Sequence, residues 1–190
     1  MSRGVSEQTK KLTLSATLAA MGVVLLMIGG LVEVLDLSMA AIASFFCIFA
    51  VIEMGKGYPW MIFAVTGILS VLLMPQGLGG WFYLVFFGYY PIIKEKLEKL
   101  HRSLSWGVKI VVFNFAVTVY GVICYFMFFG EIKQLFEEVS SLLGGMSGTT
   151  VILAVIYLVL NIVFVIYDIA LTRLITLYLV KLRKKFKFLK

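Results

Sequence analysis

The chain alternates between long apolar runs and short polar interruptions, and six of the runs have the length of membrane-spanning helices. They cover about residues 12–32, 38–55, 58–75, 77–94, 107–130 and 149–172. A hydrocarbon core of about 30 Å is crossed by roughly 20 residues of helix at 1.5 Å per residue. The pattern therefore predicts an all-α polytopic membrane protein with six transmembrane helices.

Composition agrees with that prediction and limits what else the chain contains. Hydrophobic residues make up 62% of the chain and charged residues only 14%, whereas soluble domains average about 25% charged. At 190 residues, the chain is predicted to be one integral membrane domain over 1–190. Its first apolar run is longer than a signal-peptide core and has no small-x-small cleavage site before Glu33, so we expect it to remain as a span.

The positive charge predicts orientation. Of the 17 lysines and arginines, all but Lys133 lie before the first run, at Lys56, in the connection over 94–109 or in the C-terminal part. Basic residues in short loops favour the cytoplasmic side. We therefore expect a multi-pass protein of the cell membrane with both termini cytoplasmic, and the net charge of +7 needs no nucleic acid to explain it.

Two connections are amphipathic. Residues 94–106 place three leucines at helical spacing and two acids four residues before a base, which predicts a short helix on the inner leaflet or on a partner. These are Leu97, Leu100 and Leu104, with Glu95 before Lys99 and Glu98 before Arg102. Residues 131–143 carry a second apolar stripe, followed by a glycine-rich stretch over 144–148. That outer segment is either a lid over a binding cavity or an interfacial helix. The basic tail over 181–190 is predicted to contact anionic lipid of the inner leaflet.

Small residues mark the first run as a helix with a partner. Ala16 and Ala20 stand four residues apart, and Ser15 and Ala19 form the same spacing beside them. Such stripes let helices approach closely in lipid. The second run also begins with small residues, so the stripe packs either within this chain or against another protein.

Polar residues within the runs fall into two groups. Glu53, Asn114 and Asp168 lie toward the predicted cytoplasmic ends, where Lys56, Lys109 and Arg173 are available to pair with them, and we interpret them as a structural network. The second group lies at middle or outer depth and contains candidates for binding a small-molecule substrate in an aromatic pocket. These candidates are Trp81, Tyr83, Tyr125, Tyr157 and Asn161 in the runs, with the acids Glu33 and Asp36 in the connection after the first run. The amide of Asn161 has either a neighbouring helix or a substrate as its hydrogen-bond partner.

Catalytic and metal-binding patterns are missing from the sequence. Cys47 and Cys124 lie in apolar runs without a neighbouring ligand residue, which is typical of packed thiols. His101 is the single histidine, and neither HExxH nor GxSxG occurs. We therefore expect no enzyme activity, no cofactor and no metal site.

The predicted chain has six runs with both ends inside, the basic start KKLTLSATLAAM and the motif Ala16-x-x-x-Ala20 in its first helix. In these features it resembles the S component of an energy-coupling factor (ECF) transporter. S components are small membrane subunits that capture a micronutrient outside and pass it through with a shared ATP-driven module. The resemblance implies that Ala16 and Ala20 contact the transmembrane subunit of that module. It also implies that the outer connections over 33–38, 75–80 and 131–148 cover the substrate, whose identity the sequence leaves open.

A second hypothesis is an assembly or scaffold protein of the cell envelope. The chain is similar in size and span number to the small membrane subunits of rod-shape machinery. In that case the helix surfaces bind other proteins and no substrate is transported.

Overall fold

The described part of the chain is helical. The computed structural model describes residues 2–55, 57–130, 133–134, 138 and 146–182, and within these residues helices are joined by short turns, with no β-strand. The backbone divides into two compact units, Met1–Ser105 (unit 1) and Trp106–Lys190 (unit 2), and the single membrane domain stays a prediction.

Unit 1 is built from a series of closely connected helices. In chain order they are α1 (Ser2–Leu31), a 3-10 turn (Glu33–Leu35), α2 (Asp36–Glu53), α3 (Tyr58–Leu73), α4 (Leu78–Phe82), a π-helical segment (Tyr83–Phe87) and α5 (Tyr90–Leu97). α1 packs against both α2 and α3. The face that α2 turns inward is made of small side chains, since Ala40, Ala43 and Ala50 have no exposed surface. Close packing of the first two helices, predicted from their small residues, is confirmed.

The fourth apolar run is not one continuous α-helix. Its backbone changes from α to π at Tyr83, where the Gly88 N–H donates to the Tyr83 carbonyl at 2.8 Å, and returns to α at Tyr90. A π turn inserts one additional residue into a helix. Here it lies within an aromatic cluster in which Phe86 and Tyr90 stack at 4.7 Å between ring centroids. Hydropathy does not detect such a change, because it averages apolar character along the chain and does not depend on the hydrogen-bonding pattern of the backbone.

The amphipathic helix predicted over 94–106 does not form as one helix. α5 ends at Leu97, the chain turns through His101, and the next helix begins at Arg102. Glu95 does pair with Lys99 at 3.0 Å, but exposed pairs four apart contribute only about 0.3–0.5 kcal/mol each. Such pairs are too weak to keep a helix straight where the chain passes from one apolar helix to the next.

The described part of unit 2 contains two long helices. They are α6 (Arg102–Met127), which belongs to unit 2 from Trp106 onward, and α7 (Met146–Leu177), which continues into a π segment (Tyr178–Leu182). The predicted outer segment over 131–143, the glycine-rich stretch over 144–148 and the basic tail over 181–190 lie mostly outside the described residues.

Four helical stretches of the described chain are long and apolar enough to cross a membrane. They are Glu7–Leu31, Asp36–Glu53, Arg102–Met127 and Leu153–Val180. α3 is apolar but has only 16 residues, about 24 Å of helix. The length and composition of these helices agree with a multi-pass membrane protein.

Candidate functional site

α1 carries two stripes of small residues, and one of them is used inside unit 1. Ser15 and Ala19 are buried, with 4% and 2% of their surface exposed. The Ser15 hydroxyl lies 3.3 Å from the Met54 sulfur, and the Ala19 carbonyl accepts a hydrogen bond of 3.3 Å from Thr66 of α3. The Ser15 stripe therefore holds α1 against its neighbours in the chain.

Two glycines continue the buried stripe toward the end of α1. A Cβ atom on Gly22 would lie 2.8 Å from a Thr66 methyl carbon, and one on Gly29 would lie 2.8 Å from the Met39 Cβ. Distances this short are repulsive for carbon atoms, so the glycines permit a helix contact that alanine would push apart.

The second stripe of α1 lies on a different face. Ala16 and Ala20 are exposed, together with Thr13, Thr17 and Val24 along the same side of the helix. The two threonine hydroxyls donate to carbonyls one turn earlier at 3.0 Å, so their hydrogen bonds are satisfied within α1. We call this surface the Ala16 face. It offers small and apolar side chains that a second helix can approach closely.

Asp36 joins two turns of unit 1. Its side chain is 6% exposed, and its Oδ2 accepts a 2.7 Å hydrogen bond from the backbone N–H of Gly79 at the start of α4. Among the described residues, Oδ1 has no hydrogen-bond partner. The carboxylate lies in the first turn of α2 and accepts its hydrogen bond from the first turn of α4. The N-terminal ends of both helices stabilise negative charge. Asp36, predicted as a substrate residue, thus has a structural contact within the fold.

Two further substrate candidates of unit 1 also have partners inside it. Tyr83 is fully buried, and its hydroxyl lies 3.2 Å from the Cys47 sulfur. The Trp81 indole N–H donates to the Pro75 carbonyl at 2.8 Å. Glu33 lies in the 3-10 turn, and its side chain is outside the described part of the structure. Asp36, Trp81 and Tyr83 therefore contact three different parts of unit 1.

A polar seam joins α6 and α7 in unit 2. Lys109 Nζ and Asp168 Oδ2 form an ion pair of 3.0 Å, and both side chains are about 5% exposed. Phe113 and Phe164 stack beside the pair with ring centroids 4.4 Å apart. The expected pairing of Asp168 with a nearby base is confirmed.

Asn114 and Asn161 exchange hydrogen bonds in the same seam. Each amide nitrogen donates to the other residue's Oδ1 at 3.0 Å. The sequence placed Asn114 in a network with Glu53 and Asp168 and left Asn161 to bond either a neighbouring helix or a substrate, so it did not pair the two amides with each other. The available signal was that each amide lies inside an apolar run and needs a partner there. Glu53 lies half-buried at the end of α2, in unit 1.

Tyr157 belongs to the seam and Tyr125 does not. The Tyr157 hydroxyl lies 2.8 Å from the Thr118 hydroxyl, and the Asn161 amide donates to the Tyr157 carbonyl. Tyr125 is 46% exposed and contacts Phe126 and Phe129 of its own segment. The structure thus brings Tyr157 and Asn161 together and leaves Tyr125 outside that group.

The comparisons with known proteins gave no match. The chain matches no protein-family model, no curated protein and no solved structure. Among the described residues, no group of three His, Cys, Asp or Glu side chains is placed to hold a metal ion. Function is therefore inferred from helix faces, buried contacts and charge.

Proposed function

We propose that this protein is an integral membrane subunit with six spans and cytoplasmic termini that docks on another membrane protein through the Ala16 face of α1. Its partner, as the sequence resemblance implies, is the ATP-driven coupling module of an ECF-type transporter. The protein itself captures a small molecule on the outer side of the cell membrane.

The division of α1 into two faces is the observation that supports this proposal. Packing within unit 1 uses Ser15 and Ala19 and leaves Ala16 and Ala20 exposed. Alanines exposed to lipid fill little volume, whereas a partner helix can pack closely on them and gain dispersion contacts. The Ala16 face is therefore suited to a helix from another protein.

The substrate candidates best placed for this function are Tyr157 and Asn161. Both lie on α7 and both are only half-buried. Their polar atoms already take part in hydrogen bonds of the seam, which fixes their orientation. A small ligand with hydrogen-bonding groups would contact these oriented side chains.

Docking is tested by a double substitution on the Ala16 face of α1. Ala16→Trp combined with Ala20→Trp is expected to reduce co-purification with a tagged coupling module at least tenfold, because indole rings keep the partner helix at a distance. Since both positions are exposed, the thermal stability of the isolated protein should stay within about 1 °C to 2 °C of wild type.

Ala19→Trp is the matched control, since it adds the same ring to the buried face one residue away. Overpacking costs about 1–3 kcal/mol or more, so this variant should lose thermal stability. Equal recovery of the module with wild type and the Ala16/Ala20 variant would rule out docking through this face.

A scaffold function without a transported substrate is the alternative. It is favoured by the burial of two substrate candidates of unit 1. Tyr83 is fully buried beside Cys47, and Asp36 is 6% exposed and accepts a hydrogen bond from the Gly79 N–H, so neither side chain is open to a ligand. Mass spectrometry of small molecules released from gently purified protein separates the two functions. A bound micronutrient would support capture, whereas its absence, with no thermal shift across a vitamin panel, would support the scaffold.

A further inference from the structure

A cleft of about 240 Å³ lies beside the turn between α2 and α3 in unit 1. Its apolar walls come from Val51 of α2, Pro59 of α3 and Ile92 of α5. Trp60, Glu95 and Lys96 add an aromatic ring and two charged groups to the lining. An apolar interior beside charged groups is the profile of a site for an amphiphilic molecule.

The position of the cleft relative to the helix ends places it at a membrane surface. Val51 is two residues from the end of α2, one of the candidate spans, and Trp60 is two residues from the start of α3. Span ends lie at the boundary between hydrocarbon and headgroups, where tryptophan is enriched. At this boundary the cleft is surrounded mainly by phospholipid headgroups.

Lys96 supplies a positive charge that the neighbouring acids do not neutralise. Glu95 pairs with Lys99 at 3.0 Å, and Glu98 lies 3.3 Å from Lys94. In the part of the chain that the structure describes, the ammonium group of Lys96 has neither an ion pair nor a hydrogen bond, and the residue is exposed. Its charge is available to an anion in the cleft.

Trp60 adds a neutral hydrogen-bond donor. The residue is 41% exposed, and its ring packs edge-on against Phe63 with centroids 5.9 Å apart, which fixes the plane of the indole. Among the described residues, the indole N–H has no hydrogen-bond acceptor. The cleft therefore combines a cation and an oriented N–H donor with an apolar wall.

We propose that this cleft binds an anionic phospholipid through its phosphate. The phosphate oxygens accept from Lys96 Nζ and Trp60 Nε1, and the glycerol and first acyl carbons lie along Val51, Pro59 and Ile92. A phospholipid fits better than free phosphate because the apolar walls give free phosphate no contact. Lysines at a membrane surface attract anionic lipid with about 1 kcal/mol each, or roughly fivefold in affinity. Lipid binding here does not depend on docking through the Ala16 face.

Native mass spectrometry of the full chain in neutral detergent tests this site. The probes are dihexanoyl phosphatidylglycerol, dihexanoyl phosphatidylcholine and inorganic phosphate. Wild type should bind the phosphatidylglycerol at least fivefold more tightly than either of the others. Lys96→Gln should weaken that binding about fivefold, and Trp60→Phe, which keeps the ring and removes the N–H, about threefold.

Arg102→Gln is the charge-matched control, because Arg102 is exposed on the same connection and does not line the cleft. It should change the affinity less than twofold. Equal weakening by Lys96→Gln and Arg102→Gln would show a diffuse attraction and overturn the site. Tight binding of inorganic phosphate, or equal binding of phosphatidylcholine, would overturn the assignment to an anionic phospholipid. Unchanged circular dichroism and melting of each variant would show that folding is intact.

Discussion

Replacing Asp168 by alanine is expected to lower the free energy of unfolding by about 3–5 kcal/mol. The substitution leaves the ammonium group of Lys109 buried, with about 5% of its side chain exposed and its 3.0 Å partner removed. An uncompensated charge away from water is costly in a protein interior and in lipid alike. Lys109 also lies 5.3 Å from the Trp106 ring, but a cation–π contact of about 0.5–2 kcal/mol does not replace the carboxylate.

Removing both charges together tests whether the ion pair is the cause. Lys109→Met combined with Asp168→Leu removes both charges and retains apolar volume, so it should recover most of the lost stability. Lys99→Met breaks a pair whose side chains are 69% and 43% exposed, and it should cost less than about 1 kcal/mol. Free energies from reversible unfolding in detergent provide the measurement. A double variant as unstable as Asp168→Ala alone would mean that another contact of Asp168 is responsible.

Replacing Gly79 by alanine is expected to destabilise unit 1 by about 3 kcal/mol, the sum of overpacking and a weakened hydrogen bond to a charged group. The added Cβ would overlap Asp36 Oδ1 and would lie 2.6 Å from the Asp36 carbonyl oxygen. The backbone of Asp36 is part of α2, so it cannot withdraw without moving the helix. The same shift would lengthen the 2.7 Å bond from the Gly79 N–H to Oδ2.

Gly80→Ala is the matched control, because it makes the same change at the next residue. The nearest atom to its Cβ would be the Ser70 hydroxyl oxygen at 3.3 Å, which needs to shift by only a few tenths of an ångström. Its expected cost is about 1 kcal/mol or less. Thermal melting of the two variants and wild type in one detergent gives the comparison. Equal losses would show that the Asp36 contact is not what makes Gly79 necessary.

The helices themselves follow closely from the sequence. The runs predicted over 38–55 and 58–75 correspond to Asp36–Glu53 and Tyr58–Leu73. In lipid, each backbone N–H and carbonyl must be bonded within the segment, so a long apolar run has helix as its main solution. Composition therefore predicts where helices occur without knowledge of their neighbours.

Local departures from regular helix were not predictable in this way. The π turn at Tyr83 and the break between Leu97 and Arg102 leave hydropathy almost unchanged. Both depend on how neighbouring aromatic rings and connected helices fit together. Weak local interactions, such as the exposed ion pair of Glu95 and Lys99, do not determine whether residues 94–106 form one helix or parts of two.

Pairing of polar residues was predicted in part. Depth in the apolar runs placed Asp168 at the level of three bases, Lys56, Lys109 and Arg173, and the structure pairs it with Lys109. The same criterion did not associate Asn114 with Asn161, since it placed them in different groups. An amide needs a partner in contact at a suitable angle, and depth alone does not supply that angle.

The sequence by itself determined that the protein is helical and apolar, where its long apolar helices lie, and that α1 carries small residues at a spacing of four. Only the tertiary structure decided which stripe of α1 faces inward, with Ser15 and Ala19 buried and Ala16 and Ala20 exposed. Adjacent positions on a helix differ by about 100° in direction. Two stripes one residue apart are alike in sequence, and only packing against α2 and α3 distinguishes them.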